Sequence, residues 1–276
     1  MQILGCIKDA GHTFNFEVGS DNKSLANENN FIFSDKKIFI YIDGIISKYS
    51  SKISGLTSDH YSIDQKIAYL YSIGFNLENH IFGSFNIFLF DYSNKELKII
   101  RDSRGTRSIY YSKDGKDFIF STDQKLIMHS IKNVTLNHIK LMEFLDMNHV
   151  SSKFTYLNEI FRVKPKHCLI FKHNSISTHK YKFSKILFST NYSDDVTSKF
   201  KRYFYHSVTG LAKKGKKIGV MMSGGLDSSA ITIALKENHY VDVFTYSNNF
   251  HHVDDDMYIH ETKYQQNISK LTSYMH

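Results

Sequence analysis

Gly219-Val220-Met221-Met222-Ser223-Gly224-Gly225-Leu226-Asp227-Ser228-Ser229 is the stretch whose reading decides the fold. Apolar residues 218–222 make a strand, two glycines end it, and small hydroxyl residues open a helix expected over 228–236. Glycine backbone can bend so that successive N–H groups converge on one point. A helix start at that point adds amides and the positive end of the helix dipole, so the loop suits an anion. The hydroxyls of Ser223, Ser228 and Ser229 can donate to phosphate oxygens. Asp227 repels phosphate unless a cation lies between them, and Mg²⁺ held by Asp227 and the phosphates is the natural one. The absence of Gly-Lys-Ser/Thr excludes a Walker A loop, and the absence of Gly-x-Ser-x-Gly excludes a hydrolase nucleophile elbow. The bland alternative is a glycine turn capped by Asp and Ser.

The flanks of this loop follow the same grammar. Upstream, 196–211 reads as a helix with Val196, Phe200, Phe204 and Val208 at fourfold spacing. Downstream, a strand over 241–247 precedes a helix over about 257–269. Strand, helix, strand, helix predicts a parallel α/β arrangement. Asn191-Tyr192-Ser193-Asp194-Asp195 reads as linker and helix cap, which puts a boundary near 185–195.

Before that boundary the signal is strand after strand. Phe31-Ile32-Phe33, Ile38-Phe39-Ile40-Tyr41-Ile42, 85–90, 97–100, Ile109-Tyr110-Tyr111 and Phe118-Ile119-Phe120 are short aromatic and β-branched runs. Ser34-Asp35, Asp43-Gly44, Ser93-Asn94 and Asp114-Gly115 are read as the turns between them. Residues 66–73 make a helix, and 168–171 with 175–181 a closing hairpin. Several runs are apolar on both faces, as in a sheet covered on both sides.

Composition narrows the class. The chain has 276 residues, enough for two domains, and 41% hydrophobic with 14% aromatic residues excludes global disorder. The net charge of +8 is scattered, its densest cluster being Lys213-Lys214-Gly215-Lys216-Lys217, so no nucleic-acid partner is expected. Cys6 and Cys168 match no metal or redox spacing, the 15 histidines form no zinc pattern, and both cysteines are expected to pack as small apolar residues. His251-His252-Val253-Asp254-Asp255-Asp256 reads as an acidic loop and helix cap in preference to a metal cluster. No run approaches the ~20 apolar residues of a membrane span, and no secretory signal is present. A cytoplasmic protein is expected.

Ser-Gly-Gly-Leu-Asp-Ser-Ser after an apolar strand resembles the pyrophosphate loop of the ATP-pyrophosphatase superfamily, in its asparagine synthetase branch. Upstream motifs resemble the same family. Residues 83–91 are similar to its strand ending in Asp, and 101–111 to its Arg-Asp-x-x-Gly-x-x-Pro-Leu-Tyr-Tyr turn, with Ser108 in place of the proline. Ser121-Thr122-Asp123-Gln124-Lys125-Leu126 resembles a Ser-Glu-x-Lys-x-Leu element, and Val163-Lys164-Pro165-Lys166-His167 a Pro-Gly-His bend.

The resemblance implies two domains. Residues 1–185 would be an Ntn-hydrolase-like α+β sandwich of mainly antiparallel sheets, and 192–276 the start of a parallel-sheet, adenine nucleotide α-hydrolase-like synthetase domain. It implies ATP and Mg²⁺ as cofactors. Met222, Ser223, Gly224, Gly225, Asp227, Ser228, Ser229 and Tyr246 would be the ATP and pyrophosphate contacts, with Met222 and Tyr246 cradling adenine and Asp227 holding Mg²⁺. The intact enzyme would activate a small-molecule or peptide carboxylate as an acyl-adenylate for attack by ammonia or an amine. β-Lactam synthetases, lasso-peptide cyclases, uronate amidation and a non-catalytic nucleotide-binding scaffold remain alternatives, with a homodimer left open.

Two departures stand out. Met1-Gln2-Ile3-Leu4-Gly5 replaces the family's cysteine-bearing opening, and Asp43-Gly44-Ile45 replaces its glutamine-binding Asn-Gly-Glu, so no catalytic residue for glutaminase chemistry is expected. Asp64 falls one residue from the family's glutamine-contacting Asp. Nothing like the family's later Ser-Gly-Glu-Gly-x-Asp segment follows 241–247, so a fragment or a natural truncation is expected.

Overall fold

The structure, a computed structural model, describes residues 2–8, 11, 13–19, 30–33, 36–57, 60–182, 194–212, 217–223, 225–236 and 241–244. The chain divides into two compact units, Met1–Ile186 and Leu187–His276.

The first unit is built on two antiparallel sheets. One has five strands in the order β2-β1-β8-β7-β9: β1 (Ile3–Lys8), β2 (Thr13–Val18), β7 (Tyr110–Asp114), β8 (Asp117–Ser121) and β9 (Phe161–Arg162). The other has six in the order β11-β10-β6-β5-β4-β3: β3 (Asn30–Phe33), β4 (Lys36–Tyr49), β5 (Ile81–Asp91), β6 (Glu96–Arg101), β10 (His167–Lys172) and β11 (Ser175–Lys180).

Strand periodicity explains how the layers stack, because successive side chains point to opposite faces. In β5, Phe88 and Phe90 join the core between the sheets, with Phe16 and Phe120 from the facing sheet. Ile87 and Leu89, one position off, join a second core. That core lies under helices α1 (Ser51–Leu56) and α2 (Ile63–Ser72), through Ile53, Ile67 and Leu70. On the far side, Ile119 packs with Ile127 of α3 (Gln124–Ser130), so the order of layers is helix, sheet, sheet, helix. Each fully buried Phe contributes roughly 1.5–3 kcal/mol by leaving water. Contacts such as the Phe14–Phe90 stack, with centroids 4.3 Å apart, add to this. Runs apolar on both faces are thereby explained.

Helix α2 starts at Ile63, three residues ahead of the expected helix, because Ser62 closes a capping box with Gln65. A larger correction concerns Asp43-Gly44, read above as a turn. Strand β4 runs through both without a break for 14 residues. Asp43 is buried and bonded to Arg107 and Asn86, while Gly44 adopts φ +124° against β5. A Cβ on Gly44 would lie 2.1 Å from the Ser84 carbonyl oxygen. The glycine serves close strand approach here, which local propensity cannot distinguish from a turn. The Ser93-Asn94 and Asp114-Gly115 turns do close hairpins, the first through Asp91, whose carboxylate accepts both Ser93 and Asn94 N–H at 2.9 Å.

Helix α4 (His138–Met147) was not expected from the sequence; none of its residues is buried.

In the second unit, helix α5 (Asp194–Leu211) precedes strand β12 (Ile218–Met221), helix α6 (Leu226–Lys236) and strand β13 (Val241–Phe244). β12 and β13 pair in parallel, Ile218 opposite Val241 and Met221 opposite Phe244. This is the expected strand–helix–strand crossover, in its two described strands. Gly224, Tyr246, the lysine-rich loop at 213–216, the Ser34-Asp35 turn, the linker at 191–193, the acidic loop at 251–256 and the expected helix at 257–269 lie outside the described residues. Among the described residues no helix is long and apolar enough to cross a membrane.

Candidate functional site

The loop after β12 is held by its own polar groups. Met222 is buried at 2% exposure, and its N–H donates to the Phe244 carbonyl at 2.8 Å, carrying the ladder one residue past the strand. The chain then leaves the sheet at Ser223, whose N–H donates to Ser228 Oγ at 3.3 Å. Ser223 Oγ accepts the Gly225 N–H at 3.3 Å and lies 3.2 Å from Ser228 Oγ. Ser228 Oγ and Ser229 Oγ donate to the Gly225 carbonyl at 3.2 and 2.8 Å. The result is a tight bend, stitched by serine hydroxyls, that delivers the chain into α6.

Helix α6 begins at Leu226, two residues before the predicted start, because Gly225 already accepts the Ser229 N–H at 3.2 Å. Asp227 therefore lies in the first helical turn and is exposed. The first amides of a helix have no intrahelical acceptor, and here they sit beside Ser223 and Asp227. The arrangement thus offers amides, hydroxyls and a hard carboxylate oxygen together. Of the predicted contacts, Ser223, Gly225, Asp227 and Ser228 are gathered at this bend. Met222 and Ser229 are buried beneath it.

The motifs of the first unit have another geometry. Arg101 is 4% exposed and donates to the carbonyls of Arg107 at 2.8 Å, Gly105 at 2.7 Å and Val163. Burial, opposed by Asp102, lowers the pKa of its guanidinium, to which nearby Arg162 also contributes. Asp102 accepts N–H groups from Arg104, Gly105 and Thr106, and the Thr106 hydroxyl at 2.6 Å. Gly105, at φ +66°, leaves room for Pro165, whose Cγ would be 2.6 Å from an added Cβ. So the turn at 101–111 and the bend at 163–167 are one structural unit. Thr122 Oγ1 accepts the Ile3 N–H at 2.9 Å and Ser121 Oγ donates to the Ile3 carbonyl, pinning β1 to β8.

Cys6 sits in the middle of β1, half-buried against the α3 side. Burial, with help from Asp117 and against Lys8, pushes its thiol up to about 11. A protonated mid-strand thiol is a poor nucleophile at neutral pH. Asp64, in the first turn of α2, has its carboxyl pushed above the usual range by burial.

Two family profiles match in tandem, the glutamine amidotransferase domain over residues 62–182 and asparagine synthase over 199–274. "Asparagine synthetase [glutamine-hydrolyzing] 3" of Bacillus subtilis is 26% identical over 206 residues, covering 70% of this chain and 33% of that protein. "Putative asparagine synthetase [glutamine-hydrolyzing] 2" of Methanocaldococcus jannaschii is 23% identical over 172 residues, covering 60% of this chain and 33% of that protein.

The chain belongs to the asparagine synthetase family.

It spans about a third of the length of the curated relatives it matches. Among solved structures, glutamine phosphoribosylpyrophosphate amidotransferase of Bacillus subtilis overlaps 94% of this chain and 64% of its own. That overlap has 10% identity and a TM-score of 0.32, too low to carry an argument. The helix–sheet–sheet–helix unit holds the residues matched as a glutamine amidotransferase domain. The β12–α6–β13 crossover falls in the segment matched as asparagine synthase.

Proposed function

We propose that this chain carries the ATP-binding loop of an amide ligase, in which a carboxylate attacks the α-phosphate of ATP. The carboxylate oxygen forms the new P–O bond, pyrophosphate leaves, and an acyl-adenylate results. Ammonia or an amine then adds to the acyl carbon and AMP departs, giving the amide. The observation that carries this reading is the serine-stitched bend between two parallel strands, with helix-start amides, Ser223 and Asp227 on one exposed surface. In this role the amides of the first turn of α6, with Ser223 and Ser228, hold the pyrophosphate group. Ser229, whose hydroxyl bonds to Gly225, holds the bend's shape. Asp227 supplies the oxygen ligand that suits Mg²⁺, which offsets phosphate charge when bound. Met222 and Tyr246 flank the adenine by family resemblance.

The first unit, on the same proposal, keeps the amidotransferase architecture without hydrolysing glutamine. The position of Cys6 inside a sheet ladder supports this, as does the ion pair of Asp43 with Arg107 at 2.8 Å, in place of a ligand-facing Asn-Gly-Glu. The amine would then be free ammonia or part of a second substrate. The partners proposed are a small-molecule or peptide carboxylate and that amine.

Calorimetry with ATP and Mg²⁺ tests the nucleotide site. Binding heat is expected for the wild type, with affinity about 10–100-fold lower in Asp227→Ala, as for a lost contact to a charged group. Absence of binding, or binding indifferent to Asp227, overturns the reading. Incubation with glutamine should release no glutamate; release abolished by Cys6→Ser would overturn the second part.

A further inference from the structure

A cluster far in sequence from both motif sets has the composition of a metal site. The register of the β10–β11 hairpin places Cys168 directly opposite His179. Directly opposed residues share a face, with Cβ atoms about 4.5–5.5 Å apart. Glu78, from the 3₁₀ turn Leu77–Asn79, lies over that face, with Oε1 3.1 Å from His179 Nε2. The ligand atoms of Glu78, Cys168 and His179 all fall within 4.8 Å of one another.

A second observation points to a ligand. Glu78 is 2% exposed, and its Oε2 accepts no hydrogen bond, facing the Lys98 ammonium in a long ion pair at 3.6 Å. Buried carboxylate oxygens ordinarily accept hydrogen bonds, and one held only by a long ion pair keeps room for a further ligand. Cys168 is also fully buried, and its thiol is pushed up by burial, though Lys98 pulls it the other way. Two buried donors and one surface imidazole thus share a small volume beside the Lys98 ammonium.

We propose that Glu78, Cys168 and His179 form a divalent metal site whose mixed S, N and O donors select Zn²⁺. Soft thiolate and imidazole disfavour Mg²⁺ and Ca²⁺, while Zn²⁺ accepts all three donors in a tetrahedron. Such a tetrahedron needs donor separations of about 3.3–3.8 Å, so the thiol must close in modestly. The half-exposed His179 ring can turn to accommodate this. On binding, the Cys168 S–H proton leaves to solvent and the S–metal bond takes its place; His179 binds as the neutral ring. Water fills the fourth position at the exposed side. The ion would tie the turn ahead of β5 to the edge hairpin of the six-stranded sheet, and Lys98 competes with it for Glu78.

The test is titration of the whole chain with Co²⁺, whose thiolate charge-transfer band reports a Cys–metal bond, followed by Zn²⁺ displacement. The expected result is one equivalent bound with that band, displaced by Zn²⁺. His179→Ala, a surface change that should fold, is expected to weaken binding by at least the roughly 10–100-fold typical of lesser disturbances around a metal. Cys168→Ser should remove the band, Cys6→Ser should leave it unchanged, and Lys98→Met should tighten binding several-fold. The proposal is overturned if the wild type shows no band, if the band survives His179→Ala unchanged, or if Cys6→Ser abolishes it. Lys98→Met leaving affinity unchanged or lowering it would also overturn the competition at Glu78.

Discussion

The turn at 101–111 and the bend at 223–229 are both dense in charged, hydroxyl and glycine residues, yet they place them at different depths. Arg101 and Asp102 are buried, and their groups close on the backbone of the turn and of Val163. Ser223 and Asp227 stand exposed on a helix start. Both motifs spend hydrogen bonds on their own backbone; the bend differs in that Ser223 and Asp227 also lie at the surface, where a ligand can reach them. Family resemblance brings both to notice equally; burial separates them.

The largest effect that could break this contrast is at Arg101. Arg101→Leu strands three carbonyls where the guanidinium was, so urea unfolding should show a loss of about 3–5 kcal/mol. ATP binding, referred to folded protein, should be unaffected. A stable Arg101→Leu protein would mean that the turn is not structural. Gly44→Ala comes next. Positive φ alone costs roughly 1–3 kcal/mol, and the close Ser84 carbonyl adds to it, visible as a lowered melting temperature.

Within the proposed nucleotide loop, Ser229→Ala and Asp227→Ala sharpen the comparison further. Removing the buried Ser229 hydroxyl should cost about 1 kcal/mol of stability. Asp227→Ala should cost no more than about 1 kcal/mol through the helix dipole, its main effect falling on Mg²⁺–ATP affinity.

A separate effect, read by pH instead of by mutation, is at Cys6. Its folded pKa, about 11, exceeds the ordinary value of 9.0, so the folded state keeps a proton that the unfolded chain releases. The resulting stability is present below pH 9 and is lost as pH rises from 9 through 11. Well below pH 9 its thiolate fraction is roughly 100-fold lower than that of a free thiol, so iodoacetamide should alkylate it slowly. Rapid alkylation at pH 8 would contradict the half-buried, protonated thiol.

Much of this was legible in the sequence where local pattern and tertiary fate agree. Aromatic runs such as 85–90 and 118–120 are strands because both their faces are covered, and the strand–glycine–helix string at 218–236 folds as it reads. Asp43-Gly44 misled because a glycine at a close approach between strands has the same composition as one in a turn. Helix α4 escaped notice because it buries none of its residues. The Glu78–Cys168–His179 cluster was invisible for another reason: spacing rules for metal sites look along the chain, and sheet register brings these residues together from distant segments.

The placement of β1 carries a consequence for how the protein is made. This strand lies between β2 and β8, and its bond from Ile3 to Thr122 spans 119 residues. At ribosomal speeds of 5–20 residues per second, its second edge stays without its partner for roughly 6 to 24 s during synthesis. A nascent chain bearing Ile3, Ile7, Phe14 and Phe16 on one open hairpin should therefore depend on holding chaperones through that interval.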